Sequence, residues 1–213
     1  MKKTFALLLA WMILITISMA ISETLDIQVG TPSVCSLESF RLCFETMQKE
    51  IGNTFLWNEN PGINNDYIVY SGMSEDGMTA AMIYTMNNCV ACATVLGELS
   101  AEYSAQAGTE KLSTWLTTAI SGMTFGFYLG ENSVESIDRS ELSDRFYMEL
   151  LPLMSDMAEG MNDTEKVQEG IVCSSTILGF PTGLKIQGIP NSTGITLNIS
   201  IFVTSPDGQI IIR

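Results

Sequence analysis

Two apolar runs of strand length, Thr79–Met86 and Cys89–Leu96, are separated only by Asn87-Asn88, two residues that tolerate positive φ. That spacing predicts a tight type I′ hairpin. Both runs are apolar at alternate and intervening positions, with no charge between Gly77 and Glu98. The hairpin is therefore expected at the centre of a sheet, covered on each side.

Upstream, Leu37, Phe40, Phe44, Met47 and Ile51 recur at three- and four-residue steps, with Ser36 placed to cap, Glu38 in the first turn and Gly52 as a stop. This predicts an amphipathic helix whose stripe of aromatics and methionine faces the core. Ahead of it, Ile21 to Val34 is a polar leader whose Leu25–Val29 alternation forms an edge strand or stays loose. Phe55-Leu56-Trp57 is ambiguous. A loop from Asn58 to Asp66 follows, then a strand from Tyr67 to Ser71 and a turn at Ser74–Gly77 that enters the hairpin. Thr109 caps a second helix with Leu112, Trp115, Leu116, Ala119, Ile120 and Met123 on one face, and Thr124–Leu129, bounded by Gly122 and Gly130, reads as a further strand.

Asp138-Arg-Ser-Glu141 has capping-box spacing and opens a third helix with Leu142, Phe146, Leu150, Met154 and Met157 inward. Pro152 should kink it near Glu149 or break it at Leu151. Met161–Glu165 reads as loop. Val167–Leu178, Leu184–Ile189 and Ile195–Val203 read as strands, parted by turns at Pro181–Gly183 and Pro190–Gly194, and Pro206-Asp-Gly208 leads into a last strand from Gln209. The fold class is therefore α+β, with antiparallel strands packed on amphipathic helices.

A helix followed by three strands occurs twice, a repeat of layout with no residue-by-residue match. The expected divisions are a signal peptide at 1–20, a leader at 21–34, a first α+β half at 35–130 and a second at 131–213 that packs with it as one unit. The helix, meander, helix order of the first half is similar to that of secretion-chaperone-like α+β folds, a likeness of layout with no shared motif and no function attached.

The N-terminus changes the setting. Lys2-Lys3, an apolar run from Phe5 to Ile17, and small residues at Ser18 and Ala20 make a secretory signal peptide cleaved before Ile21. The alternative is an uncleaved anchor, since Thr4–Ile21 is nearly long enough to span a bilayer. The paired lysines have a bacterial look. With 213 residues and a formal charge of −14, cleavage would remove Lys2 and Lys3 and leave −16. So acidic a chain, with no basic cluster, repels nucleic acid and anionic lipid. The expectation is a secreted or envelope protein with no nucleic-acid partner and no stable membrane insertion after cleavage.

Histidine is absent altogether. Ser-His-Asp and Cys-His arrangements, H-E-x-x-H zinc sites and every imidazole-ligated metal go with it. No P-loop, G-x-S-x-G, S-x-x-K or G-x-G-x-x-G is present. Asp156, Glu159, Asp163 and Glu165 lack the spacing of a calcium loop and read as a solvated acidic helix end. A carboxylate pair for glycoside hydrolysis arises trivially among 24 acidic residues and carries no weight. Asn162, Asn191 and Asn198 begin N-x-S/T triplets, of consequence only in a glycosylating host. No metal and no cofactor is expected.

Five cysteines remain: Cys35, Cys43, Cys89, Cys92 and Cys173. The odd number leaves at least one thiol unpaired, and Cys35 and Cys43 stand too far apart along a helix to join each other. Cys89-Val-Ala-Cys92 admits a redox reading if Cys89 begins a helix, where amides and dipole lower a thiol pKa. As a hairpin strand it pairs Tyr84 with Ala91 and Ile83 with Cys92, which sends the two thiols to opposite faces of the sheet. The chain therefore reads as an exported, acidic, non-catalytic protein that binds a protein or small ligand, or serves the envelope in a structural or folding-assistance role. A thiol-disulfide oxidoreductase using Cys89 and Cys92 is the alternative. Trp57 and Tyr67, flanking the Asn-rich loop 58–66, are the candidate binding residues, against the competing reading that both are core aromatics at strand ends.

Overall fold

The computed structural model describes residues 25–64, 66–100, 105–131, 138–190 and 195–212; the expected signal peptide and its cleavage point lie outside the described residues. The chain order is β1 (Leu25–Gln28), α1 (Leu37–Glu50), β2 (Phe55–Trp57), β3 (Gly62–Asn64), β4 (Tyr67–Ser74), β5 (Thr79–Met86), β6 (Cys89–Ser100), α2 (Ala105–Glu131), α3 (Arg139–Met161), α4 (Thr164–Glu169), β7 (Ile171–Ile177), β8 (Phe180–Pro190), β9 (Ile195–Thr204) and β10 (Gln209–Ile212). The fold is α+β, with helices packed on an antiparallel sheet.

The hairpin forms where the asparagines allow it. Asn87 and Asn88 sit at φ 53° and 64°, the left-handed pair that a two-residue turn between twisted strands demands. β5 and β6 lie inside an eight-stranded sheet of order β2-β4-β5-β6-β9-β8-β7, with β3 also paired to β4. Two meanders, β4-β5-β6 and β7-β8-β9, meet along their third strands. β6 and β9 pair antiparallel from Cys92↔Thr204 to Ser100↔Thr196.

Helices cover one face of this sheet. Ser36 caps α1 by accepting from the Ser39 amide at 3.2 Å. The residues that α1 buries include Leu37, Phe40 and Phe44. α1 lies antiparallel on α2 across a glycine stripe: a Cβ built at Gly122 would stand 3.2 Å from Phe44, at Gly126 2.9 Å from Phe40, and at Gly130 2.4 Å from the Cys35 sulfur. That stripe overturns the strand expected at 124–129. Gly122, Gly126 and Gly130 recur every four residues and so share one helix face, and α2 continues through them to Glu131. The opposite side of α2 carries Leu116, Ile120, Met123 and Phe127 into the core.

α3 runs over β7, with the Cys173 sulfur 3.9 Å from the Leu153 carbonyl. Asp138 caps it, accepting from the Ser140 and Glu141 amides. The break expected at Leu151 does not occur; the helix runs on through Pro152. Proline deprives only the Met148 carbonyl of its partner, and Met148, 71% exposed, puts that turn on the solvent side of the helix. Val167–Glu169 is not strand but the end of α4, which Asp163 caps through the Glu165 and Lys166 amides and Gly170 stops at φ 110°. The β7–β8 turn lies at Leu178-Gly179, with φ 55° and 92°, rather than at Pro181–Gly183. Pro181 is instead a strand residue opposite Thr176.

The second face is covered in part by a ribbon of β1 and β10, paired from Leu25↔Ile212 to Gln28↔Gln209. Ile27 and Ile210 pack there on a small cluster of Ala80, Leu96 and Phe202. Thr31 ties the start of the chain to its end, donating from its hydroxyl and its amide to the Asp207 carboxylate.

Candidate functional site

The two aromatics flanking loop 58–66 are separated by the sheet itself. Trp57 pairs with Gly72, whose strand neighbours Tyr70 and Ser74 face the helices. Tyr67 pairs with Asn64 and shares the other face with Val69 and Ser71. They cannot form one platform.

Trp57 is committed to structure. One side of its indole lies over Gly72, where a Cβ would stand 2.8 Å from the ring. The Arg41 guanidinium lies 4.4 Å from the ring centroid, and the indole N–H donates to Glu45 at 2.7 Å. Phe44 and Phe55 pack on it at 6.4 and 5.9 Å between centroids. Arg41 also pairs with Glu45 at 3.4 Å, one helical turn away. These contacts anchor β2 to α1 and leave the ring half-buried.

What the loop does present is Ile63. β3 interrupts the loop, and its Ile63 stands directly across from Ile68 of β4. The two are 84% and 40% exposed, a cross-strand apolar pair in water at the rim of the sheet. Leu56, also exposed, lies on the same rim but on the other face, opposite Met73. Sequence reasoning singled out this loop through its flanking aromatics and not through this pair, because one isoleucine among asparagines has no periodic partner. The signal available was Ile63 two residues after Pro61, in a stretch otherwise made of turn formers.

The cysteine hairpin is real, but one detail of it differs from the alternation. Met86 pairs with Cys89 and Thr85 with Val90; the register then shifts, so that Tyr84 pairs with Cys92 and Ile83 with Ala93. Ala91 is the extra residue of a β-bulge. Its carbonyl, turned out of the β5 ladder, accepts from the Ser205 amide at 2.9 Å and the Thr204 hydroxyl at 3.3 Å. The bulge carries Cys89 and Cys92 to the same side of the sheet, correcting the expectation of opposite faces. All five cysteines are free thiols.

Four of them lie where burial disfavours the thiolate. Burial pushes Cys92 up to about 12 and Cys173 to about 12, the latter with help from Asp156. Burial also raises Cys43 to about 11, and raises Cys35 to about 12 with smaller contributions from Glu131, Cys43 and Cys89. Cys89 opens a strand and not a helix, so the amides and dipole that activate a redox cysteine are not aimed at it.

Of the acidic residues between Asp156 and Glu165, Asp163 is occupied as the cap of α4, and Asp156, Glu159 and Glu165 are exposed. Among the described residues, no group of three or more acidic or thiol side chains is placed to hold a metal ion. The void beneath Phe40, Phe44, Ile83 and Met123 is too tight for a water molecule. Among the described residues, no helix is long and apolar enough to cross a membrane. No family model, no curated protein and no solved structure matches this chain.

Proposed function

We propose that this chain is an exported, acidic binding protein of the cell envelope, and that it engages a protein partner through the rim formed by Ile63 and Ile68. The observation that carries the reading is that cross-strand pair, 84% and 40% exposed on the described surface. Covering Ile63 is worth on the order of 1.5–3 kcal/mol and the less exposed Ile68 somewhat below that, enough to anchor a contact once the rim around them is complementary. Asn58, Asn60 and Asn64 border the pair with groups able to hydrogen-bond to a partner backbone. β3 is itself paired to β4 from Gly62↔Val69 to Asn64↔Tyr67, so the two isoleucines are presented on a hydrogen-bonded ladder.

The test is site-specific photo-crosslinking in the exporting host. A photoreactive residue at position 63 should capture a discrete partner, and Ile68→Glu should abolish the adduct while leaving the folded spectrum unchanged. The same residue at position 159 should capture nothing. Adducts at 159 with none at 63 would put the binding face on the acidic segment instead.

A further inference from the structure

We propose that β7 is a self-pairing edge through which two copies of this chain join into one continuous sheet. β7 ends the strand order, and among the described residues nothing pairs with its outer edge. Natural edges are usually guarded by charge, proline or a bulge. β7 reads Ile-Val-Cys-Ser-Ser-Thr-Ile and has no such guard: no charged residue, no proline, and an unshifted register with β8. Ser174 and Thr176 are exposed along it.

The occupant follows from the order of residues. Set antiparallel to itself about Ser174, the strand places Ile171 against Ile177, Val172 against Thr176, and Cys173 against Ser175. Each couple matches in size and branching, so the segment is close to its own complement. A two-fold axis through Ser174, normal to the sheet, keeps helix-facing residues beside helix-facing residues, as an isologous contact requires. An unrelated peptide has no reason to share this symmetry.

The layer above the strand agrees. Phe146 of α3 meets Phe125 of α2 with centroids 5.0 Å apart, which fixes the flank of α3 that faces inward. Tyr147 and Leu151, one and five residues on, stand about 100° and 140° round the helix from Phe146 and so turn away from that contact. They are 58% and 63% exposed, an apolar strip on α3 left uncovered among the described residues. Although the chain carries a charge of −14, β7 itself contributes no charged side chain to the contact.

Analytical ultracentrifugation of the exported chain should show a dimer, and Ser174→Lys, which sets two ammonium groups across the axis, should weaken it by about 100-fold with an unchanged circular dichroism spectrum. Register is tested by crosslinking. Ser174→Cys should join to itself under mild oxidation, since directly opposed residues have Cβ atoms about 4.5–5.5 Å apart. Val172→Cys alone should not, whereas a mixture of Val172→Cys with Thr176→Cys chains should. A monomer at about 100 μM, a dimer indifferent to Ser174→Lys, or Val172→Cys linking as readily as Ser174→Cys would each overturn the proposal. So would a monomer that accepts an extended peptide along β7.

Discussion

At the scale of single residues the thiols decide how the protein responds to alkali. Cys35, Cys92 and Cys173 are pushed up to about 12 and Cys43 to about 11 from an ordinary value of 9.0, all chiefly by burial. A folded pKa above the unfolded one means that the stability these thiols contribute is complete below 9.0. It is lost as the pH rises from there toward 12, because only the unfolded chain releases the protons. The denaturant midpoint should therefore hold steady from pH 7 to about 8.5 and fall above pH 9, and Cys173→Ala should flatten part of that fall. In native protein, Cys92 and Cys173 should resist a thiol reagent that modifies the partly exposed Cys89.

At the scale of elements, the contact between α1 and α2 turns on missing side chains. Alanine in place of a helical glycine ordinarily gains about 1 kcal/mol. At Gly130 the added methyl would press on the sulfur, Cβ and Cα of Cys35, at 2.4, 2.5 and 2.8 Å, where backbone cannot yield cheaply. Gly130→Ala should therefore lose about 1–3 kcal/mol of stability to overpacking. Gly122→Ala, meeting the Phe44 ring at 3.2 Å, should come out near neutral. Calorimetry of the pair separates this packing from a helix that merely tolerates glycine.

The same stripe shows where sequence was legible and where it was not. The hairpin, α1 and the start of α3 were readable because each carries its own local chemistry: Asn87-Asn88 for the turn, Ser36 and Asp138 for the caps. α2 was cut short because Gly122 and Gly130 look like punctuation until a second helix is laid against them. The β7–β8 turn was misplaced because Pro181 is a stronger local signal than Leu178, whose φ of 55° is imposed by the hairpin and not by its own side chain. Of the candidate site, the loop between Trp57 and Tyr67 was legible, and the exposure of Ile63 within it was not. Whether Trp57 or Ile63 meets solvent depends on Gly72 and Arg41, residues distant in sequence from the loop.

At the scale of the whole molecule, first and last strands are fastened together. The Asp207 carboxyl is held below its ordinary 3.8 by the Thr31 hydroxyl first and the Thr31 amide next. A depressed carboxyl contributes above its ordinary value and ceases to as the pH falls through the lowered one, when the protonated acid no longer accepts both bonds. The β1–β10 ribbon should thus loosen in acid before the main sheet does. Amide exchange at Ile27 and Ile210 should accelerate as the pH falls below the ordinary carboxyl value of 3.8 while Ile83 and Ile201 stay protected, and Asp207→Ala should show the fast exchange already at pH 6.

The seam between β6 and β9 has a consequence in time. Val95 finds its partner in Ile201, and the ribosome must add the 106 positions from residue 95 to residue 201 before that partner exists. At about 5–20 residues per second, the nascent N-terminal meander waits on the order of 5–20 s with the apolar flank of β6 unmatched. Until then it is half of a sheet, unable to close early and open to any strand that passes. Completion comes only once β9 has been made, so whatever receives the growing chain must shield that flank throughout those additions.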